Sequence, residues 1–199
     1  MELFSREFGT LGANCYVLGL KKGLIVIDPG AGAAEWILSL GKTILAILAT
    51  HGHFDHIFDA DELREKTGAK IYLPSGDEIL TKSDPFGLLI REFKPDFLVN
   101  DGEKLYFGEA VFTYRIFPGH TPGCAMIELN LNDERIYFSG DFIFKNSVGR
   151  SDFTYGDPLA MKESLRRALA LPDAPLYPGH GAPTSLANER ENIRRILED

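Results

Sequence analysis

The sequence has little of what would place it outside the ordinary globular class. Only two cysteines occur in 199 residues. Cys15 and Cys124 are too few for a disulfide framework and lack the CxxC spacing of a redox or structural-zinc motif. Both are read as small buried core residues. No uncharged apolar run approaches the roughly 18 residues of a membrane span. The opening Met1-Glu2-Leu3-Phe4-Ser5-Arg6-Glu7 puts charge where a secretory signal needs an apolar stretch. The expectation is a cytoplasmic protein without a membrane partner. Basic residues are the minority, 21 against 29 acidic, for a formal charge of -8. With no cluster of Lys and Arg to track phosphates, nucleic acid is excluded as an expected partner. Low-complexity and linker-like stretches are also missing, so one domain over residues 1–199 is expected.

What is present is a core. The chain is 44% hydrophobic, with 14 Phe and 7 Tyr, and at this length it can bury roughly 70% of its unfolded surface. Strands are expected at Cys15 to Leu20 and Leu24 to Ile27, around a Lys-Lys-Gly turn. A short helix follows from Ala33 to Leu40, bounded by Gly32 and Gly41. Ile44-Leu45-Ala46-Ile47-Leu48-Ala49 is apolar at every position, which marks a central strand covered on both faces. After it come a loop and a helix that stops at Gly68, then a strand at Ile71 to Leu73. The stretch 74–95 gives no clear element apart from a turn at Ser83-Asp84-Pro85-Phe86-Gly87. The second half is mostly sheet, with strands at Lys104 to Phe107, Ala110 to Phe117, Ala125 to Leu129 and Arg135 to Phe138. Helices near Pro158 to Leu171 and Ser185 to Leu197 flank a last strand at Leu176-Tyr177. Helices covering the outer faces of two packed sheets are the simplest arrangement of these elements.

One pattern carries chemistry. Four times an apolar β-run ends and is followed at once by His or Asp beside glycine: Thr50-His51-Gly52, Pro118-Gly119-His120, Ser139-Gly140-Asp141 and Pro178-Gly179-His180. Glycine permits a sharp turn or close backbone approach, so each segment can project a ligand from a strand end. In His51-x-His53-x-Asp55-His56, residues two apart on extended chain point the same way, so His51 and His53 can share one ion while Asp55 and His56 face a second. All five histidines of the chain lie in this loop or in the two Pro-Gly-His turns, with none scattered over the surface. Imidazole and carboxylate suit zinc, iron or manganese. Asp28, in Asp28-Pro29-Gly30, is a candidate to accept a histidine ring N–H, or simply starts a turn.

With these landmarks in order (Asp28-Pro29-Gly30, Thr50 to His56, Pro118 to Gly123, Ser139-Gly140-Asp141 and Pro178-Gly179-His180-Gly181), the sequence resembles the metallo-β-lactamase superfamily. Within it the sequence is similar to the glyoxalase II group. The resemblance implies an α/β (α+β) fold, a four-layer αββα sandwich with metals at one edge of the sheets. It implies that His51, His53 and His120 hold one ion, that Asp55, His56 and His180 hold another, and that Asp141 bridges them. Two divalent ions are expected, zinc first, with iron or manganese as alternatives. A water on such ions loses its proton near neutral pH and can attack a carbonyl carbon, with Asp55 orienting it and taking up a proton.

The implied substrate is a small thioester, such as an S-2-hydroxyacylglutathione. Arg150, in Ser147-Val148-Gly149-Arg150, matches a basic residue that contacts the glutathione part in that group. It equally suits a surface or loop-pinning role. A tyrosine expected two residues further on is replaced by Asp152, and Lys145 and Tyr155 are near enough in sequence to contact substrate instead. His120-Thr121-Pro122-Gly123-Cys124 and Gly149-Arg150-Ser151-Asp152-Phe153 also resemble the persulfide dioxygenases, which use one iron on the same fold. A lactonase or β-lactamase stays open as a further alternative.

Overall fold

The protein is described by a computed structural model covering residues 2–82 and 92–198. The chain divides into two compact units, Met1–Val99 and Asn100–Asp199. Each is built on a six-stranded sheet.

In the first unit the strands are β1 (Glu2–Phe8), β2 (Ala13–Leu20), β3 (Gly23–Ile27), β4 (Ile44–Leu48), β5 (Lys70–Pro74) and β6 (Phe97–Val99), and their spatial order is their chain order. The first three form an antiparallel meander, and β3 to β6 are parallel. Each parallel step needs a crossover. Helix α1 (Ala33–Ser39) connects β3 to β4, while α2 (Phe54–Ile57) and α3 (Ala60–Thr67) connect β4 to β5. A 3-10 helix at Ser75–Thr81 follows β5. Ile37 of α1 and Leu63 of α3 pack with Val26, Ile47 and Ile71 in one buried core, so the strand that reads as central is interior in fact. Helix α1 lacks a side-chain cap of its own. Asp59, just before α3, supplies one: its Oδ2 accepts from Gly32 N at 2.9 Å and Ala34 N at 2.8 Å.

The second unit contains β7 (Lys104–Phe107), β8 (Ala110–Ile116), β9 (Ala125–Leu131), β10 (Glu134–Gly140), β11 (Ile143–Phe144), β12 (Ser147–Val148), β13 (Pro175–Pro178) and β14 (Thr184–Ser185), with helices α4 (Pro158–Ala168) and α5 (Leu186–Glu198). The main sheet runs β14-β13-β10-β9-β8-β7, and β11 pairs with β12 separately. Helix α4 opens with proline at its first position and Asp157 as cap, whose Oδ1 accepts from Leu159 N and Ala160 N at 2.9 and 3.0 Å. Its Met161 and Leu165 join Phe117, Tyr137, Phe142 and Ile193 of α5 in a second core.

The mixed α/β reading with two sheets is therefore found. Differences are local. The His51 loop is shorter than expected, since Asp55 and His56 already lie on α2, and a turn at Phe58 and Asp59 separates α2 from α3. Strand β1 escapes sequence reading because most of its residues are exposed and show no alternation, although it pairs with β2 along its whole length. The turn expected at 83–87 lies outside the described residues. Both cysteines are buried and neither forms a disulfide. Among the described residues no helix is long and apolar enough to cross a membrane.

Ile47 is fully buried in the first core. Truncation by Ile47→Ala is expected to lower stability by about 2–5 kcal/mol, read as a shifted urea midpoint at constant m-value.

Candidate metal centre

Strand register decides where the first group of polar residues lies. β3 and β4 are parallel neighbours, with Ile27 opposite Leu48, so the residues after them leave the sheet side by side. Asp28 N donates to Leu48 O at 3.1 Å. The Asp28 carboxylate then accepts from Thr50 N at 2.7 Å and from the Thr50 hydroxyl at 2.6 Å. Its Oδ2 also receives His56 Nδ1 at 3.1 Å. Asp28 is 1% exposed and takes a positive φ of 51°, strain that these three donors hold in place. Of its two readings, acceptor for a ring N–H and start of a turn, both apply.

Hydrogen-bond chemistry sets the histidine tautomers. A carboxylate only accepts, so the hydroxyl hydrogen of Thr50 goes to Asp28 and its oxygen must accept from His51 Nδ1, which stands 3.0 Å away. His56 likewise donates from Nδ1 to Asp28. In the neutral ring this tautomer keeps the lone pair on Nε2, the form that binds a cation. The His51 and His56 rings lie 4.2 Å apart, and His53 meets His51 edge-on at 4.8 Å. Asp55 Oδ2 is 3.5 Å from His56 Nε2. All four loop residues are buried, none more than 8% exposed.

The loop is held from beneath by a residue that sequence reading missed. Gly52 N, between His51 and His53, donates to Asp77 Oδ2 at 2.8 Å, and Asp77 is fully buried. Gly52 lies so close to the 3-10 helix that a Cβ there would be 2.8 Å from Leu80 Cβ, the close approach for which glycine is needed. Asp77 sits in the stretch that showed no legible pattern.

The second unit repeats the device. β10 and β13 are parallel, with Gly140 opposite Pro178, and Gly179 N donates to Gly140 O at 2.8 Å. Asp141 and His180 therefore emerge together, with His180 Nε2 3.5 Å from Asp141 Oδ2. His120, on the turn between β8 and β9, brings its Nε2 to the same 3.5 Å from that oxygen. Its Nδ1 lies 2.8 Å from the Arg150 carbonyl oxygen, which only accepts, so this ring too keeps its Nε2 lone pair. The turn itself is pinned to α4: Asp157 N donates to Gly119 O and the Ser164 hydroxyl to Pro118 O.

Comparison with known proteins decides what these groups are. The family model for the Metallo-beta-lactamase superfamily matches residues 8–180. The chain belongs to that superfamily. Among curated relatives of the superfamily member, the hydroxyacylglutathione hydrolase GloC of Haemophilus influenzae is 35% identical, covering 86% of this chain and 86% of its own. The probable metallo-hydrolase YqgX of Bacillus subtilis is 32% identical, covering 92% of each. Among solved structures, BLEG-1, a B3 metallo-beta-lactamase, has a TM-score of 0.84 at 30% identity over 98% of this chain and 99% of its own. TTHA1623 in a di-iron-bound form has 0.81 at 34% over 95% and 98%. ETHE1 from Myxococcus xanthus has 0.77 at 26% over 100% and 86%. The metallo-β-lactamase fold expected from the sequence is thus found, and the chain is a metallo-hydrolase of this superfamily.

The donor sets fit divalent metal ions. Two ligand atoms, each about 2.1 Å from a shared ion, stand roughly 3.4 Å apart along a tetrahedral edge. The three imidazole–carboxylate separations, His56–Asp55, His120–Asp141 and His180–Asp141, are all 3.5 Å. That is long for a hydrogen bond and right for a cation between. Asp28, His51 and His56 also bring ligand atoms within 4.8 Å of one another. Those contacts run through ring N–H and hydroxyl donors, so in this superfamily member Asp28 supports the ligands. The nitrogen and oxygen donors suit zinc, iron and manganese alike.

The remaining candidates are on the surface. Lys145 is exposed. Tyr155 is 38% exposed and takes a positive φ of 68°. Arg150 places its carbonyl on His120, while its exposed guanidinium is bidentate with Asp152. Phe153 was not a candidate, yet its ring meets His120 edge-on at 5.2 Å.

Thr50→Val removes the hydroxyl that relays Asp28 to His51 while preserving shape. Metal affinity, measured by chelator competition, is expected to fall about 10- to 100-fold with the circular dichroism spectrum unchanged.

Proposed function

We propose that the two ligand sets serve one dinuclear centre in a single functional domain, and that the enzyme hydrolyses small thioesters such as an S-2-hydroxyacylglutathione. In this reading His51, His53 and His120 hold one divalent ion, Asp55, His56 and His180 hold the second, and Asp141 bridges. The observation that carries it is the imidazole chemistry: His51, His56 and His120 each bind a protein acceptor through Nδ1 and keep Nε2 for a cation. Support also comes from the family match, which spans both ligand sets, and from the kinship with GloC.

When bound, the ions supply Lewis acidity for the thioester carbonyl oxygen and bring the pKa of water toward neutrality. The chain's own residues do the rest. Asp55, 8% exposed, keeps a carboxylate at the His56 Nε2 edge, where it can accept a proton from the attacking water and return it to the departing sulfur. Thr50 and Asp28 fix the His51 and His56 rings, so the ligands need little reorganisation during turnover. The buried setting of the loop keeps bulk water away from them.

A second reading has specific support. The likeness to ETHE1 and the Arg150-Ser151-Asp152-Phe153 segment suit an iron-dependent persulfide dioxygenase. One experiment separates the readings: metal analysis of the purified protein, with assays on S-lactoylglutathione, glutathione persulfide under oxygen, a lactone and a β-lactam. Two ions per chain with thioester cleavage sustain the proposal. One iron with oxygen uptake replaces it by the second reading.

Within the proposal, His53→Ala and Asp55→Ala are each expected to abolish S-lactoylglutathione hydrolysis while far-ultraviolet dichroism stays native. Full activity in both variants removes the mechanism.

A further inference from the structure

The segment that supports His120 also places a cation at the surface, and the chain neutralises that cation itself. Arg150 Nε and Nη2 donate to Asp152 Oδ1 and Oδ2 at 2.9 and 3.1 Å. Two parallel bonds occupy the fork by which a guanidinium grips a carboxylate. The guanidinium carbon lies 5.5 Å from the centre of the Phe153 ring, and that ring meets His120 edge-on. Phe153 thus touches both the His120 ring and the Arg150 guanidinium, and a thiol carrier that runs from His120 to Arg150 has to pass this ring. At that point it meets an apolar face and a cation already matched by an anion. The Arg150 guanidinium in turn holds the Asp152 carboxyl below the usual carboxylate range, so the anion persists in mildly acidic solution.

We propose that Asp152 is a specificity-determining residue: by occupying Arg150 from within, it cancels the advantage that a carboxylated carrier such as glutathione would gain there. The enzyme then accepts thioesters of neutral thiols about as readily as glutathione thioesters, and discriminates by the acyl group. This rests on the hydrolase reading. The two side chains are 73% and 65% exposed, so water screens the pair and a substrate carboxylate can break it at small cost. What remains after breaking is the Asp152 charge beside an incoming charge of the same sign. Asp152 thus weakens carboxylate binding and does not forbid it, and roughly fivefold is the expected size, the upper end for an exposed ion pair.

The test uses two substrates with one acyl group, S-lactoylglutathione and S-lactoyl-N-acetylcysteamine, on the metal-loaded full chain at low ionic strength. Binding of S-methylglutathione, a thioether that cannot be hydrolysed, is followed in parallel by calorimetry. Asp152→Asn is expected to raise the kcat/KM ratio of the glutathione to the neutral thioester about fivefold, through KM, and to tighten thioether binding by a similar factor. Adding Arg150→Gln should remove both gains, which a purely structural role for Asp152 would not do. A ratio and a thioether affinity within about twofold of wild type in Asp152→Asn overturn the assignment, as does survival of the gains in the double variant. If the wild type cleaves neither thioester, the hydrolase reading fails, and the thioether affinity alone decides: tighter binding sustains the role of Asp152 and unchanged binding ends it.

Discussion

The parallel strand pair is the constraint on which both ligand sets depend. Neighbouring parallel strands end at one edge of a sheet, so residues that follow them in sequence positions far apart emerge in contact. Asp28 and Thr50 are brought together by β3 and β4, Asp141 and His180 by β10 and β13. Open α/β sheets present functional groups beyond the carboxyl ends of their strands for this reason. A buried carboxylate would be costly in such a place without partners. Asp28 accepts from three donors, two on Thr50 and one on His56, and these same bonds set the histidine tautomers. Satisfying the carboxylate and preparing the ligands are one act.

This is also why so many of the candidate ligands could be placed at strand ends from residues alone. An apolar run that ends in His or Asp beside glycine marks a strand end, whatever sheet the strand joins, and five histidines confined to three such places leave little room for another role. Strand β4 was legible because it is apolar throughout, and α4 because Asp157 and Pro158 form a cap. Strand β1 was not, since its identity lies in pairing with β2 and not in any burial pattern of its own. Asp77 was illegible for a different reason. Its role depends on a contact with Gly52 across 25 positions, inside a stretch with no periodicity, and no local signal encodes that.

The supports differ in kind between the two units. In the first, acidic side chains hold the ligand loop: Asp28 from the sheet edge and Asp77 from the 3-10 helix. In the second, backbone groups do most of the holding, with the Arg150 carbonyl on His120 and the Gly140 carbonyl on Gly179. Backbone supports cannot be deleted by mutation and are invisible to residue-type reasoning. Arg150 shows the consequence. Its side chain suggested a substrate contact, while its main chain orients the imidazole of His120 whatever side chain is present.

That double duty ties the segments of the second unit together. Gly149 N donates to Phe142 O, and a Cβ at Gly149 would collide with the Asp141 carbonyl oxygen. The chain just before Arg150 is thus pressed against the segment carrying Asp141, while Arg150 itself reaches His120. Any side chain at position 149 must push the two segments apart, and the displacement moves the His120 acceptor and the Asp141 carboxylate at once. Residues linked this way do not contribute independently. The glycine, the arginine carbonyl and the aspartate behave as one structural unit, and a change in any of them is felt at both the ligand and the surface pair that flanks it.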